Sequence, residues 1–196
     1  LEYRGYDSAG IAVINGSGLK SRKSLGKVAK LEQLITEAPV NGHCGIGHTR
    51  WATHGVPAVK NAHPHISRDQ VAVVHNGIIE NCHDLRDELI QAGYRFDSDT
   101  DTEVIAHLIH AYLVSGNDFV TACRNACKRL QGAYALAILC VENPNLIVAV
   151  RKGSPLVIGA GEGEYFVASD IAAVMGSANS YYYLEEGDMA EIYPSN

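Results

Sequence analysis

The order of strand-like and helix-like segments restricts the fold of this chain more than any other feature of its sequence. Short apolar or alternating runs predict strands at residues 11–14, 19–23, 44–49, 71–75, 133–141, 146–151, 156–158, 165–168, 181–184 and 189–193. Apolar residues at helical spacing predict helices at residues 27–37, 81–92, 101–114 and 118–130. Two strand-rich blocks thus flank consecutive helices without regular alternation, which predicts an α+β layered sandwich and disfavours a doubly wound parallel sheet.

Length and composition indicate one globular domain over residues 1–196. Of the 196 residues, 46% are hydrophobic and 19% are charged, which allows a sizeable core and argues against disorder. A formal net charge of −6 and the lack of a Lys and Arg cluster disfavour a nucleic-acid partner. The longest apolar run, residues 133–141, is too short to cross a bilayer, so we expect no membrane partner either.

The five cysteines predict neither disulfides nor a zinc ribbon. They form no CxxC pair and are odd in number. Cys123 and Cys127 lie one helical turn apart, and we interpret them as small apolar residues on a buried stripe. A reducing cytoplasm is the compartment that this cysteine usage favours.

A long polar stretch, residues 50–69, separates two predicted strands, and histidines are frequent in and around it. A loop of this length inside a compact domain is usually functional. Histidines stand at positions 48, 54, 63, 65 and 75, which suggests a zinc site. Their spacing contains no HExxH or Cys-His framework, however, and carboxylates are sparse around them. We therefore expect no metal ion and no cofactor.

Two oppositely charged residues stand where binding sites are commonly built. Arg50 follows a predicted strand, and an arginine is the best bidentate partner for a carboxylate; a plain surface position is the alternative. Asp101 stands at a predicted helix start, where it can bind an ammonium group or simply cap the helix. Residues 100–103 (TDTE) also match a capping box.

Asn76 and Gly77 follow a hydrophobic strand and admit two interpretations. One is a tight hairpin turn, which Asn-Gly pairs favour. The other is a pair of hydrogen-bond donors, the Asn side-chain amide and the Gly N–H, that form an oxyanion hole. Residues 78–81 lead toward a helix rather than a returning strand, which weakens the hairpin interpretation but leaves both open.

Five sequence segments, taken in order, carry a resemblance to a known family. They are residues 2–10 (EYRGYDSAG), 48–55 (HTRWATHG), 61–65 (NAHPH), 75–81 (HNGIIEN) and 99–103 (DTDTE). Together they resemble the glutaminase domains of glucosamine-6-phosphate synthases, which are class II glutamine amidotransferases, and the likeness runs nearly from end to end. The resemblance implies the N-terminal-nucleophile hydrolase fold, a four-layer αββα sandwich. It also implies hydrolysis of L-glutamine to supply ammonia to fructose 6-phosphate.

The same resemblance implies roles for particular residues. Arg50 would bind the α-carboxylate of glutamine and Asp101 its ammonium group. Asn76 and Gly77 would form the oxyanion hole. Other residues would line the substrate site and close over it (Trp51, Thr53 and His54) or support the surroundings of the nucleophile (Arg4 and His63). Residues 51–57 are expected to form a mobile lid.

The nucleophile of this family is an N-terminal cysteine whose own α-amino group serves as the base. Position 1 here is Leu1, and no internal cysteine has a free amine. We therefore expect a fragment that begins inside an element, and expect a chain starting at Leu1 to bind glutamine poorly and hydrolyse none. A sugar-isomerase domain that binds fructose 6-phosphate would follow Asn196, and the full-length protein would be a homo-oligomer.

Two other functions stay open. The nearer one is another amidotransferase of the same fold, such as the phosphoribosyl-pyrophosphate enzyme, although residues 51–54 (WATH) and 61–65 favour the glucosamine-6-phosphate synthase type. The second is a non-catalytic binding or metal-sensing domain that uses the histidines. Stoichiometric zinc in the purified protein would support this second function.

Overall fold

A five-stranded antiparallel sheet forms the centre of the protein. The structure, a computed structural model, describes residues 5–16, 18–51 and 55–194. The strands of the central sheet are β4 (His65–Ser67), β5 (Val71–Ile79), β6 (Gly132–Cys140), β7 (Ile147–Lys152) and β11 (Met189–Ile192). They lie in the order β11-β7-β6-β5-β4, so β5 and β6 occupy inner positions and β4 and β11 the edges. Both faces of the inner strands are apolar, because each face is covered by a further layer.

Three helices cover one face of the central sheet. They are α2 (Cys82–Gln91), α3 (Glu103–Val114) and α4 (Phe119–Arg129). Val71 and Val73 of β5 face this layer, since alternate side chains of a strand point to opposite faces. Helix α3 contacts β4, β5 and both neighbouring helices, which explains why its first eight residues are all buried. The predicted helices are confirmed to within two residues at each end.

A three-stranded sheet covers part of the other face. Its strands are β1 (Ser8–Asn15), β2 (Gly18–Leu25) and β3 (Cys44–Arg50), in the order β2-β1-β3. Ala12, Ile14 and Ile46 of this sheet pack against Ala72 and Val74 of β5. Helix α1 (Val28–Glu37) packs against β1 and β2. The layers therefore follow the order helices, central sheet, second sheet and helix, and the predicted αββα sandwich is confirmed.

A second three-stranded sheet lies on the same face of the central sheet. Its strands are β8 (Val157–Ala160), β9 (Tyr165–Ala168) and β10 (Ser180–Tyr183), in the order β10-β8-β9. Leu156 and Leu184, at the ends of these strands, pack against Ala135 of β6 and Ala149 of β7. Two separate small sheets thus rest on the central one, and a cleft opens between them.

One sequence prediction about a loop was wrong, and one of the two interpretations left open for Asn76-Gly77 is excluded. The stretch of residues 50–69 is not one continuous loop, because it contains a 3-10 turn at Val59–Asn61 and the strand β4. Strand β4 is three residues long and too short to show a period of two, and its pairing with residues 71–73 stabilises it. The hairpin interpretation of Asn76-Gly77 is also wrong, since β5 runs on to Ile79 and pairs with β6 throughout.

The capping box predicted at residues 100–103 does not form. The N-cap residue of α3 is Thr102, and its side chain makes no capping hydrogen bond. The Glu103 carboxylate accepts hydrogen bonds from the backbone N–H groups of Asp97 and Ser98 instead. The turn before α3 thus places those N–H groups, rather than that of Thr100, beside the carboxylate.

Within the described residues, no helix is both long and apolar enough to cross a membrane.

Candidate functional site

A cleft with a volume of about 790 Å³ lies between the two three-stranded sheets, above β5 and β6. Val74, Asn76, Ala135 and Ala137 from the central sheet line it. In β5, Asn76 continues the row of side chains that begins with Ala72 and Val74, because these residues share one face of the strand. The row changes from apolar to polar where the cleft opens, and the side chain of Asn76 therefore faces the cleft.

Arg50 at the end of β3 lines one side of the cleft. Its side chain is only 4% exposed, because it has the same orientation in β3 as Ile46, toward the central sheet. Its Nη2 atom donates a hydrogen bond to the carbonyl oxygen of Gly55 at 3.0 Å, and its Nη1 atom lies 3.4 Å from an Asp7 carboxylate oxygen. These contacts hold a planar cation in one orientation at the edge of the cleft.

Asp101 lines the same cleft from the segment that precedes α3. It is buried, and its Oδ2 atom accepts a hydrogen bond from the backbone N–H of Ile79 at 2.8 Å. Because Thr102 is the N-cap residue of α3, a role as the helix cap does not account for Asp101. The cleft is thus bordered by one arginine side chain and one carboxylate that are both anchored to their surroundings.

Some backbone N–H groups of β5 point away from β6, toward the side on which β4 lies. Strand β4 pairs only with residues 71–73 of β5. The N–H of His75 lies 3.4 Å from Nδ1 of His63, and the N–H of Ile79 donates to Asp101. N–H groups of an antiparallel strand alternate in direction, so the N–H of Gly77 points to the same side. Gly77 and Asn76 both line the cleft.

Gly77 is held in a conformation that other residues rarely adopt. Its φ angle is +133°, and a Cβ atom built at this position would lie 2.0 Å from the carbonyl oxygen of Ala133 on β6. The close approach of β6 thus requires glycine at this position. The position of Gly77 beside Asn76 at the cleft therefore depends on the pairing of β5 with β6.

Three histidines form a packed group beside the cleft. The rings of His48 and His63 stack with their centroids 4.2 Å apart, and His65 meets His63 edge-on at 4.9 Å. Burial lowers the pKa of His48 and of His65, and lowers that of His63 well below its usual range. The three rings are therefore neutral near pH 7. Among the described residues, no group of three or more His, Cys, Asp or Glu side chains is arranged to hold a metal ion.

None of the five cysteines, all of which lie in the described part of the chain, lines the cleft. Burial raises the pKa of every one of their thiols, that of Cys127 to about 11. A nucleophilic cysteine needs the opposite shift, because the thiolate is the attacking species. These cysteines are structural, which agrees with the interpretation of Cys123 and Cys127 from sequence.

The structure brings most of the predicted site residues together. Those that line the cleft are Arg50, Trp51, His63, Asn76, Gly77 and Asp101. Arg4, Thr53 and His54 lie outside the described residues. Sequence reasoning missed His48, which it considered only as a zinc ligand, although the motif of residues 48–55 begins with it. It also missed the apolar side of the cleft, formed by Leu156, Val167 and Val174.

Comparison with known proteins agrees with this geometry. A family model described as "Glutamine amidotransferase domain" matches residues 48–176. The chain therefore belongs to the glutamine amidotransferase domain family.

Named relatives are similar over the whole chain. Glutamine--fructose-6-phosphate aminotransferase [isomerizing] from Pseudomonas putida (strain KT2440) is 56% identical over 193 residues, which cover 98% of this chain and 32% of that protein. The protein of the same name from Clostridium perfringens is 50% identical over 187 residues, covering 95% of this chain and 30% of that protein. The chain thus spans about a third of the length of the curated relatives it matches.

Solved structures show the same fold. The glutamine phosphoribosylpyrophosphate amidotransferase from B. subtilis superimposes with a TM-score of 0.83 and 30% identity, covering 98% of this chain and 42% of that chain. A glutamine aminotransferase class-II domain protein from Silicibacter pomeroyi, at 18% identity and a TM-score of 0.62, shares the fold alone. It covers 97% of this chain and 92% of that one.

Proposed function

We propose that residues 1–196 form the glutamine-hydrolysing domain of a glutamine--fructose-6-phosphate aminotransferase. The observation that carries this proposal is the meeting, in one cleft, of Arg50, Asp101 and the donor pair of Asn76 and Gly77. Identities of 50–56% with proteins of that name favour it over the phosphoribosyl-pyrophosphate enzyme, whose compared structure is 30% identical. The ammonia would go to fructose 6-phosphate on a sugar-isomerase domain of the full-length protein. The five free thiols favour a cytoplasmic location.

The charged groups of the cleft complement the two charged ends of a free amino acid. The Arg50 guanidinium presents parallel N–H donors to the α-carboxylate, an arrangement in which arginine is superior to lysine. The Asp101 carboxylate, whose Oδ2 atom accepts a hydrogen bond from the N–H of Ile79, supplies the negative charge that complements the α-ammonium group. With both ends held, the side-chain amide of glutamine extends toward Asn76 and Gly77.

The donors of Asn76 and Gly77 stabilise the charge that develops on the amide oxygen. Attack by a thiolate on the amide carbon gives a tetrahedral intermediate with a negatively charged oxygen, which two aimed N–H groups stabilise. When the C–N bond breaks, the amide nitrogen takes up the proton that the thiol gave up, leaves as ammonia, and a thioester remains. Water then hydrolyses the thioester to glutamate and regenerates the thiol. Arg4, Thr53, His54 and His63 keep the supporting roles that the family resemblance implies.

The attacking thiol comes, on this proposal, from an N-terminal cysteine that precedes Leu1 in the full-length protein. None of the five cysteines of this chain serves the purpose, because each lies away from the cleft and has a raised pKa. Gly5, the first described residue, lines the cleft, which supports an attacking group that comes from the segment before it.

The test is steady-state release of glutamate from L-glutamine by the full-length protein with its N-terminal cysteine. We expect Arg50→Ala and Asp101→Asn to raise the KM for glutamine by about 10²-fold, since each removes a charged partner of the substrate worth about 2–3 kcal/mol. Arg95→Ala is the matched control, because Arg95 forms an exposed ion pair with Asp97 and does not line the cleft. Unchanged kinetics for both cleft variants would contradict the assignment.

A further inference from the structure

His48 is held directly against the proposed oxyanion donor. Alternation along β3 places His48 between Ile46 and Arg50 on the face that meets the central sheet. Its Nε2 atom lies 2.8 Å from the side-chain oxygen of Asn76. The stack with His63 fixes the plane of the ring, so His48 meets the Asn76 amide in one orientation.

The contact between His48 and Asn76 matters because the two ends of an amide side chain differ chemically. The two ends of the Asn76 amide are nearly identical in shape, but Oδ1 accepts hydrogen bonds and Nδ2 donates them. A half-turn of the amide would exchange the two ends. An oxygen directed at the reacting carbonyl would repel the developing oxyanion, whereas the nitrogen would stabilise it. Asn76 is therefore useful in only one of its two orientations.

We propose that His48 is a positioning residue for the oxyanion hole, because its Nε2–H binds the Asn76 oxygen and so turns the Nδ2 donor toward the cleft. This inference rests on the proposed glutaminase function. A histidine suits the task because a ring nitrogen that carries a proton donates in a fixed direction. An arginine or lysine in its place would introduce a charge beside Arg50, two residues away on the same face of β3.

The surroundings of His48 support this role. Burial lowers the pKa of His48, and the ring is therefore neutral and adds no charge next to the oxyanion site. His63 stacks against the ring, and the charges of Arg50 and Asp7 act on it in opposite directions, Arg50 lowering and Asp7 raising its pKa. The hydrogen bond connects β3 to β5, so the register between the small sheet and the central sheet sets the direction of the amide.

The experiment compares four variants of the full-length protein with its N-terminal cysteine: His48→Leu, His48→Asn, His48→Gln and Asn76→Ala. Loss of one oxyanion donor costs about 10²–10³-fold in kcat, and we expect this for Asn76→Ala and for His48→Leu. The KM for glutamine should change by less than about 3-fold, because Arg50 and Asp101 still bind the amino-acid end. The double variant of His48→Leu with Asn76→Ala should be no slower than Asn76→Ala alone.

The two amide variants separate positioning from packing. The Gln side chain carries an N–H donor at about the reach of the histidine Nε2, and we expect His48→Gln to keep kcat within about 10-fold of wild type. The shorter Asn side chain does not reach Asn76, so His48→Asn should behave like His48→Leu. The comparison of His48→Gln with His48→Asn tests the positioning role even if His48→Leu fails to fold. Circular dichroism checks the folding of each variant.

The outcomes distinguish this inference from the proposed function. If the wild-type protein releases no glutamate from glutamine, the proposed function itself fails. If the wild type is active but His48→Asn and His48→Gln have equal kcat, the positioning role is refuted. It is equally refuted if the losses of the two single variants multiply in the double variant, or if the His48 variants raise KM alone. His43→Leu, an exposed position just before β3, is the control and should match wild type.

Discussion

Glu103 is a buried carboxylate that accepts several hydrogen bonds, and its substitution tests the account of the segment that carries Asp101. Its Oε1 atom accepts a hydrogen bond from the N–H of Asp97 at 2.9 Å. Its Oε2 atom accepts from the N–H of Ser98 at 2.8 Å and from the Ser98 hydroxyl at 2.5 Å. The Nε2 atom of His107 lies 3.5 Å from Oε1 of Glu103. Glu103 itself is only 4% exposed.

These hydrogen bonds determine how far Glu103→Gln should lower the free energy of unfolding. A hydrogen bond to a charged acceptor contributes about 1.5–3 kcal/mol. The glutamine oxygen can replace one carboxylate oxygen, but its NH₂ group would then face a donor and lose at least one bond. Removing a buried charge offsets part of that loss. We therefore expect the free energy of unfolding to fall by about 2 kcal/mol.

The assay is urea unfolding of Glu103→Gln and wild type at several pH values. Burial raises the pKa of Glu103, but the hydrogen bonds from His107, Ser98 and the two backbone amides lower it more, so it ends below its ordinary value. The carboxylate therefore stabilises the fold fully above its unfolded pKa of about 4.3. This contribution is lost as the pH falls toward the folded pKa, and the difference between the two proteins should shrink below about pH 4.

An exposed carboxylate, Glu88, provides the control for the buried Glu103. Glu88 pairs with Arg129 at the surface with its side chain 55% exposed, so Glu88→Gln should cost at most about 1 kcal/mol. If Glu103→Gln costs no more than Glu88→Gln, or if its cost is the same at pH 6 and pH 3.5, the hydrogen-bonded carboxylate does not stabilise the segment before α3 as argued.

Two further predictions concern Gly77 and residues 51–57. Gly77→Ala should lower the free energy of unfolding in urea by more than about 1 kcal/mol, since its Cβ would meet the Ala133 carbonyl oxygen at 2.0 Å. Gly93→Ala, with a φ of +86° and open space around it, should cost less; an equal cost would contradict the clash. Amide exchange in residues 51–57 of the full-length enzyme should slow when glutamine binds, and unchanged protection would count against a lid.

The sequence determined the secondary structure where an element was long enough to show its own period. Strand β6 and the four predicted helices follow from apolar runs and apolar spacing, because each is at least nine residues long and shows its pattern more than once. The order of these elements was enough to predict the layered sandwich. The sequence motifs also led to Arg50, Asn76, Gly77 and Asp101 as site residues, all of which line one cleft.

Only the tertiary structure decided how these residues work together. Strand β4 forms because it pairs with β5. Position 77 requires glycine because the backbone of β6 approaches it closely. The Glu103 carboxylate binds the N–H groups of residues 97 and 98 rather than forming the capping box that its spacing predicts. His48 meets Asn76 across 28 positions of sequence. The contacts of Gly77 and His48 join segments that are far apart in the sequence, so only the pairing and packing of the sheets brings them together. The pairing of β4 and the contacts of Glu103 depend on how the chain turns between neighbouring segments, which no apolar period predicts.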